Sequence, residues 1–319
     1  MNNNHAGEER TGSSLSSGES IDWLLMDFDR HLEGQRGCAS GTRKHYRREA
    51  RTFLAHVFPT QLIGWEELTA AKVAEFVSSR AKKLSWVSRQ NPAIAIRSLL
   101  RFLAGKGLIR AGLEGAIPPI WRTKHATVPR HVSPEQLESL LALCSQEKRP
   151  SAMRDRAMLL LCARLGLRPG EVLRLTVNDL DWNAGCVLIR AGKTSRERLL
   201  PMPEDAGAAL AGYLREARPI SSERAVFLSL VPPYKPLGDV GTLINLVNRL
   251  LRQAGLGAPC SGAYVLRHTL ATTMVRSGVS YKQVADILGH SSLTTTGIYA
   301  KLDLPSLTKV ALPWPGAAQ

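Results

Sequence analysis

Three side chains in the last quarter of the sequence carry groups suited to attack on a phosphodiester: the guanidinium of Arg267, the imidazole of His290 and the phenol of Tyr299. They lie in Tyr-Val-Leu-Arg-His-Thr-Leu-Ala-Thr-Thr-Met (264–274), Leu-Gly-His (288–290) and Thr-Thr-Gly-Ile-Tyr (295–299). A cation can grip a phosphate, a ring N–H can donate to it, and a phenol can displace one of its esters. The phenol has a reference pKa of about 10, so it attacks well only if its proton is removed and cations hold the target. Tyr264 and Arg267 are three residues apart and share one helix face, whereas His268 is one position on and is expected to point elsewhere. Each residue alone has an ordinary reading. An arginine pairs beside an apolar face, a histidine caps a helix end, and a tyrosine is half buried with a wet hydroxyl. Only the set proposes a reaction.

More cations precede them. Gly-Leu-Arg-Pro-Gly-Glu (166–171) puts Arg168 at a helix start with Glu171 three residues on. That carboxylate suits the helix N-terminus and can orient the guanidinium, although a routine ion pair would look the same. Lys193 occupies a turn flanked by Arg190, Arg196 and Arg198. Gly192-Lys193-Thr194 is not a nucleotide-binding loop, because that motif needs glycine at 187 and the residue is Val187.

The elements that must position these groups follow from periodicity. Apolar residues at helical spacing predict helices over about 21–33, 42–57 and 86–104, with another running from a Thr69 cap through Val73, Phe76 and Val77; the helix over 42–57 carries Arg43, Lys44 and Arg47 on a basic outer face. Residues 1–19 are polar and small and are expected to be disordered. The division is then a helical domain over 20–110, a linker over 111–132 and a second domain over 133–319, whose apolar tail after Tyr299, through Leu302, Leu304, Leu307, Val310 and Leu312, is expected to dock on a neighbouring protomer or to pack on its own chain. Glycines, prolines and the cations Arg122 and Lys124 mark the linker as a basic strap or a solvated connector. The second domain opens on the capping box Ser133-Pro134-Glu135-Gln136. Helices are expected at about 134–145, 153–165, 204–216, 242–254, 263–277 and 280–288, the last with its own capping box and with Gly289 as its stop. Apolar runs 186–190 and 198–202 read as a hairpin, and 226–229 as a possible third strand.

Composition narrows the partner. Forty-two Lys and Arg against 27 Asp and Glu leave a formal charge of +15, which attracts polyanions, nucleic acid foremost. Five scattered cysteines hold no metal-ligand spacing and fit a reducing compartment, with Cys144 and Cys162 as core fillers. No run is long and apolar enough for a membrane span, and the N-terminus reads as no secretory signal. A cytoplasmic, nucleoid-associated protein without membrane contact is expected.

Taken together, Gly-Leu-Arg-Pro-Gly-Glu-Val-Leu-Arg-Leu (166–175), Gly-Lys-Thr (192–194), Leu-Arg-His-Thr-Leu-Ala-Thr (266–272), Leu-Gly-His (288–290) and Thr-Thr-Gly-Ile-Tyr (295–299) resemble the tyrosine recombinase, or phage integrase, family in order and interval. The resemblance covers about 133–310, and the first domain is similar to the family's core-binding domain in length, helicity and position. It implies a mainly α fold with a small antiparallel β-sheet, built from an N-terminal helical core-binding (SAM-like) domain and a C-terminal catalytic domain. It implies Tyr299 as nucleophile, Arg168 and Arg267 on the non-bridging oxygens, Lys193 as general acid, His290 as a donor to the phosphate and Glu171 in support. No cofactor is required: the arginines carry the charge, and one phosphoester replaces another. The implied partners are two specific DNA duplexes bound by a homo-tetramer, with or without a related recombinase, for integration, excision or transposition of a mobile element. One departure stands out. The family usually has histidine where this chain has Tyr264, and a phenol is a poorer general base than imidazole. A catalytically silent DNA-binding accessory protein and a type IB topoisomerase are the alternatives.

Overall fold

The computed structural model describes residues 21–59, 63–82, 90–119, 130–144, 149–192, 196–256 and 262–302. Residues 1–19, the cations Arg122, Lys124 and Lys193, Cys260 and the chain after Leu302 lie outside them. The chain divides into two units, Met1–Lys124 and His125–Gln319.

The first unit is helical. Helices α1 (Ile21–Gly34), α2 (Ser40–Val57), α3 (Ala70–Lys82) and α4 (Gln90–Gly105) bury one apolar stripe each. Ile21, Leu24, Leu25, Phe28 and Leu32 of α1 meet Phe53, Leu54 and Val57 of α2 and Ile96, Leu99, Leu100 and Leu103 of α4 in one core. Full burial of each such side chain contributes roughly 1.5–3 kcal/mol. Packing continues beyond the expected domain end. A 3₁₀ turn at Leu113–Ala116, entered through left-handed Gly112, sends Ile117 into the same core, and Arg97 Nη2 donates to the Ile117 carbonyl at 3.2 Å. The glycines that read as a linker here shape a turn that stays packed.

The basic face of α2 also differs from expectation. Arg43 pairs with Asp29 at 2.6 Å and with Glu33, so it ties α2 back to α1, whereas Lys44 is exposed. Arg47 reaches to 3.9 Å from the same Asp29. Glu49 is buried and bonded by Arg80 at 3.1 Å and by Arg48 at 3.2 Å. Its carboxyl is held below the usual range, because those guanidiniums outweigh the burial that opposes ionisation.

The second unit is built on α6 (Pro150–Arg164), whose residues Ala157 to Ala163 are all buried. A helix apolar all round belongs at a centre. Around it lie α5 (Pro134–Leu143), α7 (Pro169–Arg174), α8 (Glu204–Gly212), α9 (Val240–Gln253) and α10 (Tyr264–Arg276). Ser133 and Gln136 form the expected capping box on α5. A small antiparallel sheet runs β1 (Leu180–Asp181), β2 (Cys186–Ile189), β3 (Arg198–Pro201), with Val187 opposite both Leu180 and Leu200. Cys144 and Cys162 are buried as expected.

The third strand is therefore 180–181, not 226–229. Val226, Phe227 and Leu228 are buried on all sides, and only isolated bridges flank them, Thr176 with Ala225 and Leu228 with Pro236. Pro232, Pro233 and Pro236 lack the N–H a ladder needs, so pairing stops. The apolar run fills the core instead, stacked beside Tyr213, whose hydroxyl accepts from Leu228 N at 3.3 Å.

The chain then closes with α11 (Tyr281–Leu288), the single turn α12 (Leu293–Thr296) and a 3₁₀ turn at Gly297–Leu302. Ser280 and Gln283 cap α11 reciprocally, and Gly289 stops it in the left-handed conformation at φ 64°. Ala271 and Val275 of α10, Val284 and Leu288 of α11, and Tyr299 form a separate apolar cluster.

Candidate active site

Arg267 is the hub. It is 3% exposed on α10, and its two terminal nitrogens donate to two carbonyls, one on the loop before α7 and one at the end of α11: Nη1 to Gly166 O and Nη2 to Leu288 O, each at 2.7 Å. The loop leads to Arg168 and the helix end to His290. One planar fork thus fixes both approaches, which a lysine could not span. Gly166 makes this possible. It is left-handed at φ 63°, and a Cβ there would stand 2.7 Å from a Leu288 methyl. Burial, then the neighbouring Arg168, lower the Arg267 pKa to about 10, so the group stays cationic at neutral pH.

Glu171 is a second node. It is the third residue of α7, and it accepts from Arg168 N and Arg168 Nη1, both at 2.9 Å, and from Arg198 Nη2 at 3.0 Å. Burial alone would raise its carboxyl pKa. The bonds from Arg198 and Arg168 outweigh that and bring it down to about 2. Arg198 in turn donates from Nε to Ile287 O at 2.8 Å and lies over Gly289. The carboxylate therefore orients Arg168 and clamps the end of α11 through Arg198. Sequence reasoning noticed Arg198 only as a neighbour of Lys193. Its partners lie 27 and 89 positions away, and no local pattern points to them.

His290 follows the α11 stop. It is 8% exposed, and its Nδ1 lies 2.6 Å from Oγ1 of the buried Thr296. Burial, then Arg267 and Arg168, hold its pKa down to about 3, so the ring is neutral at pH 7. Tyr299 is 1% exposed, and its hydroxyl lies 2.7 Å from Nδ1 of His268. Burial raises the phenol to about 12 against the pull of Arg267 and Arg168. Arg168 and Arg267 thus lie within electrostatic reach of each other and of both His290 and Tyr299.

One expectation changes. His268 does not point away: it meets the Tyr299 hydroxyl. Adjacent residues on a helix diverge by about 100°, but α10 is covered over a wide arc, so both directions are occupied. The Gly166 loop takes Arg267 and the Gly297–Leu302 turn takes His268. Tyr264, expected on the Arg267 face, is 48% exposed at the first turn of α10, where little covers it. Lys193 lies outside the described residues, between Gly192 of one hairpin arm and the exposed Arg196 of the other. Arg190, on the first arm, donates to the buried Asp179 at 2.7 Å. Among the described residues no cluster of His, Cys, Asp or Glu could hold a metal ion.

Residues 130–304 match the phage integrase family, and residues 25–107 match its N-terminal SAM-like domain. The chain is 37% identical to the putative integrase/recombinase y4rA of Sinorhizobium fredii over 94% of its own length and 72% of that protein. It is 31% identical to the tyrosine recombinase XerD of Mycobacterium tuberculosis, over 92% of this chain and 96% of the relative. Among solved structures, the XerH site-specific recombinase bound to a palindromic difH substrate in a post-cleavage complex shares the fold at a TM-score of 0.66. That pair is 22% identical over 93% of this chain and 90% of the other. The chain belongs to the phage integrase family, the tyrosine recombinases. Its activity class is DNA strand cleavage and rejoining through a tyrosine-linked intermediate, and the fold expected from the sequence, mainly helical with a small antiparallel sheet, is borne out.

Proposed function

We propose that this chain cleaves and rejoins specific DNA duplexes with Tyr299 as nucleophile, to move or resolve a mobile element. Tyr299 attacks the scissile phosphorus and leaves a 3′-phosphotyrosine and a free 5′-hydroxyl. Arg168 and Arg267 offset the charge that builds on the non-bridging oxygens, each such donor being worth roughly 3–4 kcal/mol. Lys193 protonates the departing 5′-oxygen, and His290, neutral and anchored through Nδ1 on Thr296, offers Nε2 to the phosphate. Glu171 keeps Arg168 in place. Tyr264, at the mouth of α10, lends a phenol hydroxyl to the bound backbone. An incoming 5′-hydroxyl reverses the step on another strand.

The observation that carries the reading is the fork of Arg267 on the Gly166 and Leu288 carbonyls. It explains how groups more than a hundred positions apart come to share one charge field. Lys44, Arg47 and Arg196 are the described cations assigned to the DNA backbone, and Arg122 and Lys124 of the linker sequence are assigned to it as well. Arg43 is left out, because Asp29 and Glu33 already engage it. Recombination needs two duplexes and two cuts in each, so four protomers act together, alone or with a related recombinase. With a formal charge of +15 the protein would stay with the nucleoid.

The test is covalent trapping. The protein is incubated with end-labelled DNA from its own gene's flanks, nicked beside the cleavage position so that the leaving strand is lost. Wild type should give a protease-sensitive adduct on a denaturing gel, and Tyr299→Phe none. Specific binding without an adduct from wild type, on a site that recombines in cells, would overturn the reading in favour of a silent DNA-binding module.

A further inference from the structure

We propose that His268 takes the proton of Tyr299 as the phenol attacks phosphorus, an inference that rests on the recombinase reading above. Four observations lead there. The two groups are in hydrogen-bond contact, Nδ1 to hydroxyl at 2.7 Å. The phenol is 1% exposed, so bulk water does not reach it to remove the proton. The residue at the position where the family resemblance leads one to expect a base is Tyr264, which is 48% exposed and makes no hydrogen bond through its hydroxyl among the described residues. Finally, His268 is neutral near pH 7, because burial and then Arg267 and His131 hold its pKa down to about 4. With its own proton on Nε2, such a ring accepts at Nδ1.

The resting site is set against early transfer. The phenol lies at about 12 and the ring at about 4, so the proton stays on Tyr299 until the nucleophile engages. Two changes then favour the move. A bound phosphodiester brings negative charge beside Arg267, which helps to depress the ring, and the phenol oxygen becomes strongly acidic as its bond to phosphorus forms. The step balances. The Tyr299 Oη–P bond forms as P–O5′ breaks; the phenol proton passes to His268 Nδ1, and the departing O5′ takes one from Lys193. In rejoining, the O5′–P bond re-forms as Oη–P breaks; the 5′-hydroxyl returns its proton to Lys193, and Oη recovers its own from His268. The charged and titratable groups around the ring are Arg267 on its own helix, His131 ahead of α5, His290 beyond α11 and Tyr299 itself, with Arg168 reaching the phenol.

The experiment measures adduct formation on the nicked duplex for wild type, His268→Phe and His268→Asn between pH 6 and 9, with thermal unfolding of each to establish folding. Asparagine keeps an acceptor near the Nδ1 position but cannot take a proton. Both variants should form adduct on the order of 100-fold more slowly, in the range of general-base effects. Their rates should climb about tenfold per pH unit, as attack by pre-ionised phenol requires, while the wild-type profile is flatter. A sulfur in place of the bridging 5′-oxygen, which departs without a proton, should not restore them. A wild-type rate in His268→Asn overturns proton transfer and leaves only positioning; wild-type rates in both variants overturn any role. In the DNA-free protein, the His268 ring ¹⁵N resonances should move on Tyr299→Phe. Unmoved resonances remove the contact on which the inference stands, whatever the DNA assay gives. No wild-type adduct, with the resonances moved, sinks the recombinase reading and the proton transfer with it while the contact survives.

Discussion

At the scale of single residues, the site keeps an ionised carboxylate and neutral imidazoles down to a lower pH than free side chains would. Glu171 lies at about 2, His290 at about 3 and His268 at about 4, all depressed. A depressed pKa means that the folded protein binds fewer protons than the unfolded chain over that interval, so stability falls as pH falls. For the histidines the loss begins near the ordinary value of 6.5 and runs down to about 3–4. For Glu171 it begins near 4.5 and runs to about 2. Between pH 7 and 5 each histidine should therefore remove roughly 1–2 kcal/mol. Urea unfolding midpoints at pH 7.5, 6, 5 and 4 check this, with His290→Gln expected to flatten the upper part of the decline. A midpoint constant from pH 7.5 to 5 would contradict neutral burial of these rings.

At the scale of elements, much was legible. The capping boxes at Ser133 and Ser280 and the left-handed stop at Gly289 are local signals, and they fixed where α5 and α11 begin and where α11 ends. The Leu-Arg-His run placed Arg267 on a helix for the same reason. What was not legible depends on partners remote in sequence. Thr296 beneath His290 could have been suspected from six-residue spacing, but the Arg198 contacts to Glu171 and Ile287, and the turn that brings Tyr299 to His268, exist only once α7, α10 and α11 are packed. The 226–229 run misled because buried apolar runs look alike as strand or as core. Gly289 offers the sharpest test. Besides its φ of 64°, a Cβ there would meet Arg198 Nη1 at 2.5 Å, so the guanidinium must move from its place over Gly289. Left-handed strain alone costs about 1–2 kcal/mol in a non-glycine residue. Gly289→Ala should lose about 2 kcal/mol or more, read as a drop in Tm of roughly 4–8 °C for a unit of this size. Adduct formation should fall as well, because a displaced Arg198 holds the end of α11, and with it His290, less firmly. An unchanged Tm would mean that Arg198 shifts freely and is no clamp.

At the scale of the whole molecule, the excess of 42 Lys and Arg over 27 Asp and Glu says that a polyanion is attractive, not which cations touch it. Burial and pairing separate them. Arg43 is one-fifth exposed and committed to Asp29 and Glu33, while Lys44 and Arg196 are exposed. A cation that neutralises a phosphate releases a counterion, and each one contributes about 0.9 to the slope of log affinity against log salt. Lys44→Ala and Arg196→Ala should therefore each flatten that slope by about 1 and weaken binding to any duplex, cognate or not. Arg43→Ala should leave the slope alone and lower the Tm slightly, because it leaves the Asp29 and Glu33 carboxylates without their partner on α2. Fluorescence anisotropy of a labelled duplex across 50–300 mM salt distinguishes the two kinds of arginine and lysine. A slope that flattens for Arg43→Ala and not for Lys44→Ala would put the DNA on the α1 side of α2 and reverse the assignment.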